Sequence, residues 1–360
     1  MGKGVRVVLD NIIFFLQRSG GGSVYWSETI SRLDPGGLAI TYTEPRGRFS
    51  NIFYQSVRPK LTHTINRENM GAKILSFFPY RRRDKSQFIF HSSYYRVSSN
   101  TQAINIVTIH DFMPELFFKG FKRLYHSLRK RRAIMRADGI ICVSENTRLD
   151  MLRLYPQASR KNIVTIHLGI STDYYPTNEK SSIVPNGNYV LFVGRRAYYK
   201  NFTFAVDVVG LLDNLHLVIV GESLNEQEKE KLSILDGKFT VVENPSNDEL
   251  NRLYNHAICL LYPSSYEGFG IPVLEAMATG CVVVALNTSS IPEISNGAAV
   301  LIDTLDATRF SDSIRMLQDQ EWRNELVKKG VENAKKFTWE ESVRKLCEFY
   351  TLVHGEFTRT

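Results

Sequence analysis

The strongest chemical signal in the chain is a pair of glutamates, Glu267 and Glu275, on either side of a glycine-containing segment. Residues 262–275 read YPSSYEGFGIPVLE, so an apolar strand ends at Tyr262 and a proline stands where a helix should begin. The free amides and the dipole of such a helix end favour an anion, and carboxylates accept hydrogen bonds from sugar hydroxyls. The spacing fits a ligand with a diphosphate and a sugar, and it fits equally well two solvated carboxylates that the helix dipole favours.

A second group of charged residues follows an earlier apolar strand. Residues 190–202 read VLFVGRRAYYKNF, which places Arg195, Arg196 and Lys200 after a strand and a glycine. His110 also ends an apolar strand, where ligand-binding residues of parallel sheets project. His91 ends another strand among polar neighbours and is a weaker candidate of the same kind.

Several other chemistries lack their sequence signatures. The chain contains no HExxH or DxD metal-binding motif and no GxSxG nucleophile motif. It has no GxGxxG after the first strand and no GxxxxGK[ST], so dinucleotide and P-loop chemistry are not indicated. The cysteines are far apart and form no CxxC pair, which predicts reduced core residues in a cytoplasmic protein. No apolar run approaches the ~20 residues of a membrane-spanning helix.

The elements that must position these residues alternate between strands and helices, which predicts βαβ units and parallel sheets. The predicted fold is α/β, with two doubly wound Rossmann-like domains and a cleft between them as the expected site. Residues 1–176 form the N-terminal domain, in which residues 46–85 are predicted as an excursion from the sheet. A polar linker at residues 177–188 leads to the second domain, residues 189–338. A last helix, residues 339–360, is expected to pack back toward the N-terminal domain.

Charge divides unevenly between the two halves of the chain. The net charge is +8, but residues 1–180 carry 28 Lys and Arg against 13 Asp and Glu, and the rest carry 17 against 24. The basic excess is concentrated in residues 119–136 and beside the aromatics of residues 77–83. Such a surface suits an anionic membrane, where each basic side chain contributes about 1 kcal/mol. A solvated helix face is the alternative, and nucleic acid is not expected because the second half is acidic and no binding motif occurs.

The two charged segments, taken with others, resemble retaining nucleotide-sugar glycosyltransferases of family 4, which have the GT-B fold. The match at Glu267 and Glu275 is the most specific, and the remaining matches are collinear over nearly the whole chain. They are GGG at residues 20–22, VTIHD at 107–111, GIICVSENT at 139–147, VLFVGRRAYYKNF at 190–202, IPEI at 291–294 and FTWEESVRKL at 337–346.

The resemblance implies roles for residues in the second domain. Glu275 would bind the nucleotide ribose and Glu267 the hydroxyls of the donor sugar. Lys200 and one of Arg195 and Arg196 would neutralise the diphosphate, and the choice between these arginines stays open. The backbone that lines the sugar and diphosphate would come from the four residues Gly268, Phe269, Gly270 and Ile271.

In the first domain the resemblance assigns His110 to positioning the transferred sugar, with a role as base left open. Gly21 and Gly22 would belong to the first glycine turn, on the donor side. The implied catalytic residues are therefore His110, Glu267, Lys200 and Arg196. No metal and no cofactor other than the nucleotide-sugar co-substrate are implied.

The implied reaction is transfer of a mannose-like hexosyl unit, with retention, to a glycan or lipid-diphosphate-linked acceptor in bacterial surface polysaccharide synthesis. The N-terminal segment VRVVLDNIIFFLQRSGGGSVYW and the YKNF loop resemble family members with mannose-like donors. This resemblance favours GDP-mannose or a related GDP-sugar, with a UDP-sugar as the alternative. The expected location is the cytoplasmic face of the membrane, as a peripheral protein. A GT-B epimerase, a phosphorylase and an inactive glycan-binding relative remain as alternatives.

Overall fold

A computed structural model describes residues 5–33, 37–61, 65–82, 84–184 and 188–357. The chain divides into two compact units. The first contains the described residues up to Gly169 and from Trp339 onward, and the second is Ile170–Thr338. Arg83 of the basic segment and residues 185–187 of the linker lie outside the described residues.

The first unit is built on a parallel sheet of seven strands within the described residues, in the order β3-β2-β1-β4-β5-β6-β7. The strands are β1 (Val5–Asp10), β2 (Leu38–Glu44), β3 (Ile65–Arg67), β4 (Phe88–Ser92), β5 (Ala103–Ile109), β6 (Gly139–Cys142) and β7 (Asn162–Thr165). Every residue of β4 and β5 is buried, as expected for strands that helices cover on both faces.

The helices of the first unit connect these strands. They are α1 (Ile13–Leu16), α2 (Gly21–Arg32), α3 (Tyr54–Leu61), α4 (Ala72–Leu75), α5 (Met113–Phe117), α6 (Gly120–Arg136) and α7 (Glu145–Leu154). Helix α7 is capped at its start by Ser144, whose hydroxyl accepts a hydrogen bond from the Thr147 amide.

Residues 46–85 are not a simple excursion from the sheet. They contain α3, β3 and α4, and β3 pairs in parallel with β2 through Tyr42 and Ile65. The strand has the sequence INR, and none of its three residues is fully buried. Its sequence therefore contains no apolar run. Short edge strands of this kind gain little from burial and carry no alternating pattern for sequence reasoning to detect.

The second unit repeats the architecture with a six-stranded parallel sheet, in the order β10-β9-β8-β11-β12-β13 over its described residues. The strands are β8 (Tyr189–Val193), β9 (His216–Gly221), β10 (Phe239–Glu243), β11 (Cys259–Tyr262), β12 (Val282–Leu286) and β13 (Val300–Ile302). The helices are α8 (Phe202–Gly210), α9 (Glu226–Leu232), α10 (Asn247–His256), α11 (Ile271–Thr279), α12 (Ile291–Ser295), α13 (Ala307–Met316) and α14 (Gln320–Ala334). The two doubly wound domains of the sequence prediction are therefore confirmed.

The division between the units falls between residues 169 and 170, a few residues before the predicted boundary at 176. Ile170 bridges to Thr338, and the Tyr175 and Thr177 amides donate to the side chains of Asn251 and Asn255 on α10. These contacts attach the segment to the second unit. The polar composition of the segment indicates a linker, and the asparagine side chains that accept its backbone hydrogen bonds lie more than 70 residues further along the chain.

The last helix, α15 (Trp339–Phe357), belongs to the first unit and packs on α2 and β1. The Tyr350 hydroxyl of α15 lies 2.6 Å from His91 Nδ1, and the other ring nitrogen lies 2.9 Å from the Thr108 hydroxyl. His91 is buried, and burial lowers its pKa to about 3. It is therefore a neutral residue that links helix to sheet, and it is not a ligand residue.

In each sheet, successive strands run outward in both directions from a central pair, β1 and β4 in the first and β8 and β11 in the second. The loops that leave such a pair diverge and open a crevice at the carboxyl edge, which is the usual ligand site of open α/β sheets. The strand order thus marks one candidate crevice in each unit. No helix in the described ranges combines the length and the apolar character needed to cross a membrane.

Candidate active site

Lys200 and Glu267 form an ion pair at the carboxyl edge of the second sheet. Lys200 closes a short 3₁₀ turn after β8, and Glu267 lies in the loop after β11, so the pair bridges the two central strands. Lys200 Nζ contacts Glu267 Oε1 and lies 3.1 Å from the Tyr262 hydroxyl. Each side chain is 13% exposed, which keeps the pair largely out of water without sealing it from a ligand.

The two loops that carry this pair are tied together by Asn201. Its side-chain amide donates to the Pro263 carbonyl and to the Ser265 hydroxyl, both at 2.7 Å. The Ser265 amide in turn donates to the Tyr199 carbonyl at 2.7 Å. Asn201 has a φ of 53°, a left-handed conformation that asparagine tolerates better than most residues. Lys200 and Glu267 are therefore held in place before any ligand binds.

The glycine-containing segment after Glu267 leads directly into α11. Gly270 has a φ of 106°, and a Cβ there would lie 3.0 Å from the Ile291 side chain, so both conformation and space favour glycine. The Ser290 hydroxyl donates to the carbonyls of Glu267 and Phe269, at 3.0 and 2.7 Å. The backbone of Gly268–Ile271 is thereby fixed beside the first turn of α11, whose leading amides lack intrahelical acceptors.

Glu275, one turn further along α11, is held by two tyrosines. The Tyr254 hydroxyl donates to Glu275 Oε2 at 3.0 Å, and Tyr174 also hydrogen-bonds the carboxyl group. Burial raises the pKa of Glu275 to about 7, although both hydrogen bonds act to lower it. Its carboxyl group can therefore change protonation state near neutral pH and keeps acceptor capacity for a ligand hydroxyl.

The sequence predictions did not include these tyrosines or Ser290. Tyr174 lies in the polar sequence STDYYP, Tyr254 lies on the buried face of α10, and Ser290 precedes a short helix. None of them belongs to a motif with a chemical meaning, because each reaches the site from a different part of the chain.

The adjacent arginines of the β8 loop have different environments. The Arg196 side chain is only 5% exposed, and its Nη2 donates to the carbonyls of Glu222 and Ser223, both at 2.7 Å. Arg196 Nε lies 2.9 Å from the Glu228 carboxylate. Arg195 is 75% exposed and makes a loose 3.4 Å contact with Glu222. Arg196 therefore joins the β8 and β9 loops, and Arg195 is the arginine with freedom to reach a ligand.

Gly221, the last residue of β9, provides the space for this arrangement. A Cβ at Gly221 would come within 2.9 Å of Arg196 Nη1 and of the Gly194 carbonyl. The backbone oxygen cannot move without shifting the loop. The absence of a side chain at this position thus allows Arg196 to turn inward.

His110, the candidate in the first unit, follows β5 with its ring centroid 5.1 Å from that of Tyr25. Burial, together with the Lys130 ammonium group, lowers the pKa of His110 to about 4. The imidazole is therefore neutral at pH 7 and a weak base, which suits hydrogen bonding better than proton abstraction. Gly21 and Gly22 open α2 in the same unit, and no heavy atom lies within 4 Å of a Cβ built at Gly21.

Lys130 belongs to the basic stretch of α6, but it does not face solvent. Its Nζ donates to the Asp111 carbonyl and to the Glu115 carboxylate, both at 2.7 Å. It thus anchors the loop that follows His110. Across the described ranges, no cluster of three or more His, Cys, Asp or Glu side chains could hold a metal ion. The absence of a metal requirement stays a prediction.

Comparison with known proteins relates both units to sugar transfer. The model described as Glycosyltransferase Family 4 matches residues 39–174, and the model described as Glycosyl transferases group 1 matches residues 176–337. O-antigen chain mannosyltransferase B of Escherichia coli is 28% identical over 293 residues, which are 75% of this chain and 76% of that protein.

Solved structures share the fold over nearly the full chain. Sucrose-phosphate synthase from Thermosynechococcus elongatus superposes with a TM-score of 0.74 at 17% identity. The match covers 98% of this chain and 100% of the synthase chain. HepE from Anabaena, solved in complex with UDP-glucose, gives a TM-score of 0.70 at 12% identity, with 99% and 100% of the two chains covered.

Replacing the two arginines should affect stability to very different extents. Arg196→Ala leaves two carbonyls and Glu228 without their partner, so we expect the free energy of unfolding to fall by about 2–3 kcal/mol. Arg195→Ala removes an exposed contact and should change it by less than about 0.5 kcal/mol. Urea denaturation of both variants measures the difference. Equal stabilities would contradict the structural role of Arg196.

Proposed function

The chain is a GT-B glycosyltransferase of the group 1/family 4 type, and from this premise we propose that it moves a mannose-like hexosyl unit from a nucleotide sugar to a glycan acceptor. The observation that carries the proposal is the Lys200–Glu267 pair at the central strands of the second sheet. In this pair, the Lys200 cation can bind a diphosphate and the Glu267 carboxylate can accept hydrogen bonds from a sugar. Both lie beside the free amides at the start of α11.

The proposed donor is GDP-mannose or a related GDP-sugar. Similarity to an O-antigen mannosyltransferase over three quarters of the chain supports a mannosyl group. A UDP-sugar is the second candidate, because the similarly folded HepE was solved with UDP-glucose. With either donor, the Glu275 carboxylate accepts hydrogen bonds from the ribose hydroxyls, and Lys200 and Arg195 contact the diphosphate. This role replaces Arg196 by Arg195, because the Arg196 side chain is only 5% exposed and its charge is already paired with the Glu228 carboxylate.

The proposed chemistry retains the anomeric configuration and uses no metal ion. The bond between the sugar C1 and the diphosphate oxygen breaks, and the acceptor hydroxyl bonds to C1 from the same face. The hydroxyl proton passes to the departing phosphate oxygen. Lys200 and Arg195 stabilise the growing negative charge on the nucleoside diphosphate, which a metal ion does in other enzymes. His110, with a pKa of about 4, positions the sugar and does not remove the proton.

The acceptor is proposed to be a lipid-linked glycan that the first unit takes from the cytoplasmic face of a membrane. Helix α6 supports this placement, because Phe121 and Leu124 are exposed beside the exposed cations Lys122 and Arg123. Apolar and basic side chains that are exposed together in the first turn of a helix suit an anionic bilayer surface. The proposed process is assembly of a surface polysaccharide such as O-antigen.

Release of nucleoside diphosphate from a panel of nucleotide sugars, by transfer to an added lipid-diphosphate-linked glycan or by hydrolysis, tests the proposed reaction. We expect release with GDP-mannose and an unchanged rate in EDTA. Lys200→Ala should lower turnover on the order of 10²–10³-fold, because it removes a charge that stabilises the leaving group. Lys229→Ala, at an exposed lysine on α9, is the matched control. No release with any donor would refute the transferase proposal, and loss of activity in EDTA would refute the metal-free mechanism.

Donor binding should depend on pH through Glu275. Its carboxylate form is the better acceptor for the ribose hydroxyls, so affinity for GDP-mannose should rise as the pH increases through about 7. Tyr254→Phe removes a hydrogen bond that lowers the pKa of Glu275, so the midpoint should move to higher pH. Glu275→Gln should abolish the dependence. Titration calorimetry at several pH values measures these affinities, and a pH dependence that survives Glu275→Gln would contradict the assignment.

Membrane binding should be electrostatic and should involve α6. We expect binding to vesicles that contain phosphatidylglycerol, weaker binding at high salt, and little binding to phosphatidylcholine alone. Replacing Lys122 and Arg123 by glutamine should cost about 2 kcal/mol. The same change at the exposed Lys328 and Lys329 of α14 is the control. Sedimentation with vesicles measures the effect, and equal binding to neutral and anionic vesicles would refute this placement.

A further inference from the structure

A small cavity in the first unit lies between the turn after α4, the segment after β4, and helix α6. Its volume is about 150 Å³, and its walls include Phe77, Phe78, Tyr95, Leu128, Arg129 and Arg132. That space is enough for several water molecules or for a phosphate group.

We propose that this cavity, which we call the Arg132 pocket, binds the phosphate group of the lipid-linked acceptor. The proposal rests on the proposed transferase function and assigns residues to its acceptor. Two arginines and an apolar rim carry the argument, and the position of the pocket at the carboxyl edge of the first sheet supports it.

Positive charge in the pocket is not neutralised by the protein. Arg129 Nη2 and Arg132 Nη1 donate to the carbonyls of Ser76 and Phe77, both at 3.0 Å. In the described part of the chain, no carboxylate lies within ion-pair distance of either arginine, and Arg129 Nε is buried without a hydrogen-bond partner. A carbonyl partner fixes each guanidinium without cancelling its charge. Arg129 Nη1 also donates to the Tyr125 hydroxyl at 2.8 Å. Arg132, whose one hydrogen bond among the described residues is to Phe77, therefore has the N–H groups that suit an anionic oxygen ligand such as phosphate.

Arg96, which also lines the pocket, serves a different purpose. Its guanidinium lies 3.2 Å from Asp10 and 2.8 Å from Glu68, and it is fully buried. These carboxylates compensate its charge, so Arg96 fixes the wall and does not attract an anion. The bond to Asp10, the last residue of β1, also places this wall at the crevice between β1 and β4.

The backbone beside the pocket is held in an unusual conformation. Tyr95 has a φ of 49°, a left-handed value that is rare for a large aromatic residue. Such strain persists only where the surrounding structure enforces it, and it is concentrated at ligand sites. Here it follows β4 by three residues, at the edge of the sheet where open α/β folds bind their ligands.

The rim of the pocket is apolar. The side chains of Phe77, Phe78 and Leu128 are each about half exposed. Arg129 stacks on Phe77 and Tyr94, with its guanidinium carbon 5.1 and 4.8 Å from the ring centroids. An apolar rim around uncompensated arginines matches a phosphate that carries a hydrocarbon chain. Inorganic phosphate would pair with the arginines but leave the apolar rim uncovered. A neutral lipid would cover the rim but leave the arginines without an anion.

Octyl phosphate, below its critical micelle concentration, is the direct probe. We expect it to bind more tightly than inorganic phosphate and more tightly than octyl glucoside, which has the chain without the charge. Arg132→Gln should weaken octyl phosphate binding at least tenfold, because it removes a charged donor. Arg136→Gln, one turn further along α6 and outside the pocket, should change it less than twofold. Titration calorimetry measures these affinities.

A second variant tests the charge with the arginines in place. Leu128→Glu puts a carboxylate at the rim and should abolish octyl phosphate binding, whereas Leu128→Gln, which removes apolar surface without adding charge, should weaken binding much less. Equal affinities for octyl phosphate and octyl glucoside, or no effect of Arg132→Gln, would overturn the proposal. If Arg132→Gln weakened binding to phosphatidylglycerol vesicles and left octyl phosphate binding intact, the pocket would serve bilayer lipids and the proposal would also fail.

Failure of the pocket can be told apart from failure of the transferase function. The wild-type protein would still release nucleoside diphosphate from its donor if only the pocket assignment were wrong. Absence of release with every donor would remove the transferase function and, with it, the acceptor role of the pocket.

Discussion

The Lys200–Glu267 ion pair is the interaction on which the proposed chemistry depends. Two charges that are mostly removed from water lose hydration, and their attraction offsets that cost only in a fixed geometry. Asn201 provides this geometry by joining the loops after β8 and β11. The strand order makes these loops neighbours, although 67 residues separate Lys200 from Glu267 in sequence. The cation proposed for the diphosphate and the carboxylate proposed for the sugar are thus set in place together.

Much of this arrangement could be predicted from the sequence because it is local. Glycines, a helix-starting proline and charged residues at strand ends have meanings that do not require distant partners. The loops after β8 and β11 contain all of these, so their motifs indicated the second-domain site. The parallel sheets were also predictable, since their buried strands read as apolar runs between helical patterns.

The parts that could not be predicted depend on contacts between distant segments. Tyr174 and Tyr254 reach Glu275 from separate elements, and no local pattern marks them. The choice between Arg195 and Arg196 depends on Gly221, whose missing side chain allows Arg196 to turn inward. Lys130 was predicted only as one of several basic residues, but the fold buries it against Glu115. In each case the sequence shows the residue type, and packing decides whether its charge faces a ligand or the protein.

A crystal structure with bound GDP tests the central claim most directly. The account predicts that the diphosphate lies within hydrogen-bond distance of Lys200 Nζ and of the first-turn amides of α11. The ribose hydroxyls should contact the Glu275 carboxylate, with Tyr254 still bonded to it. A nucleotide bound elsewhere, or bound here with the Lys200–Glu267 pair turned away from the phosphates, would contradict the account.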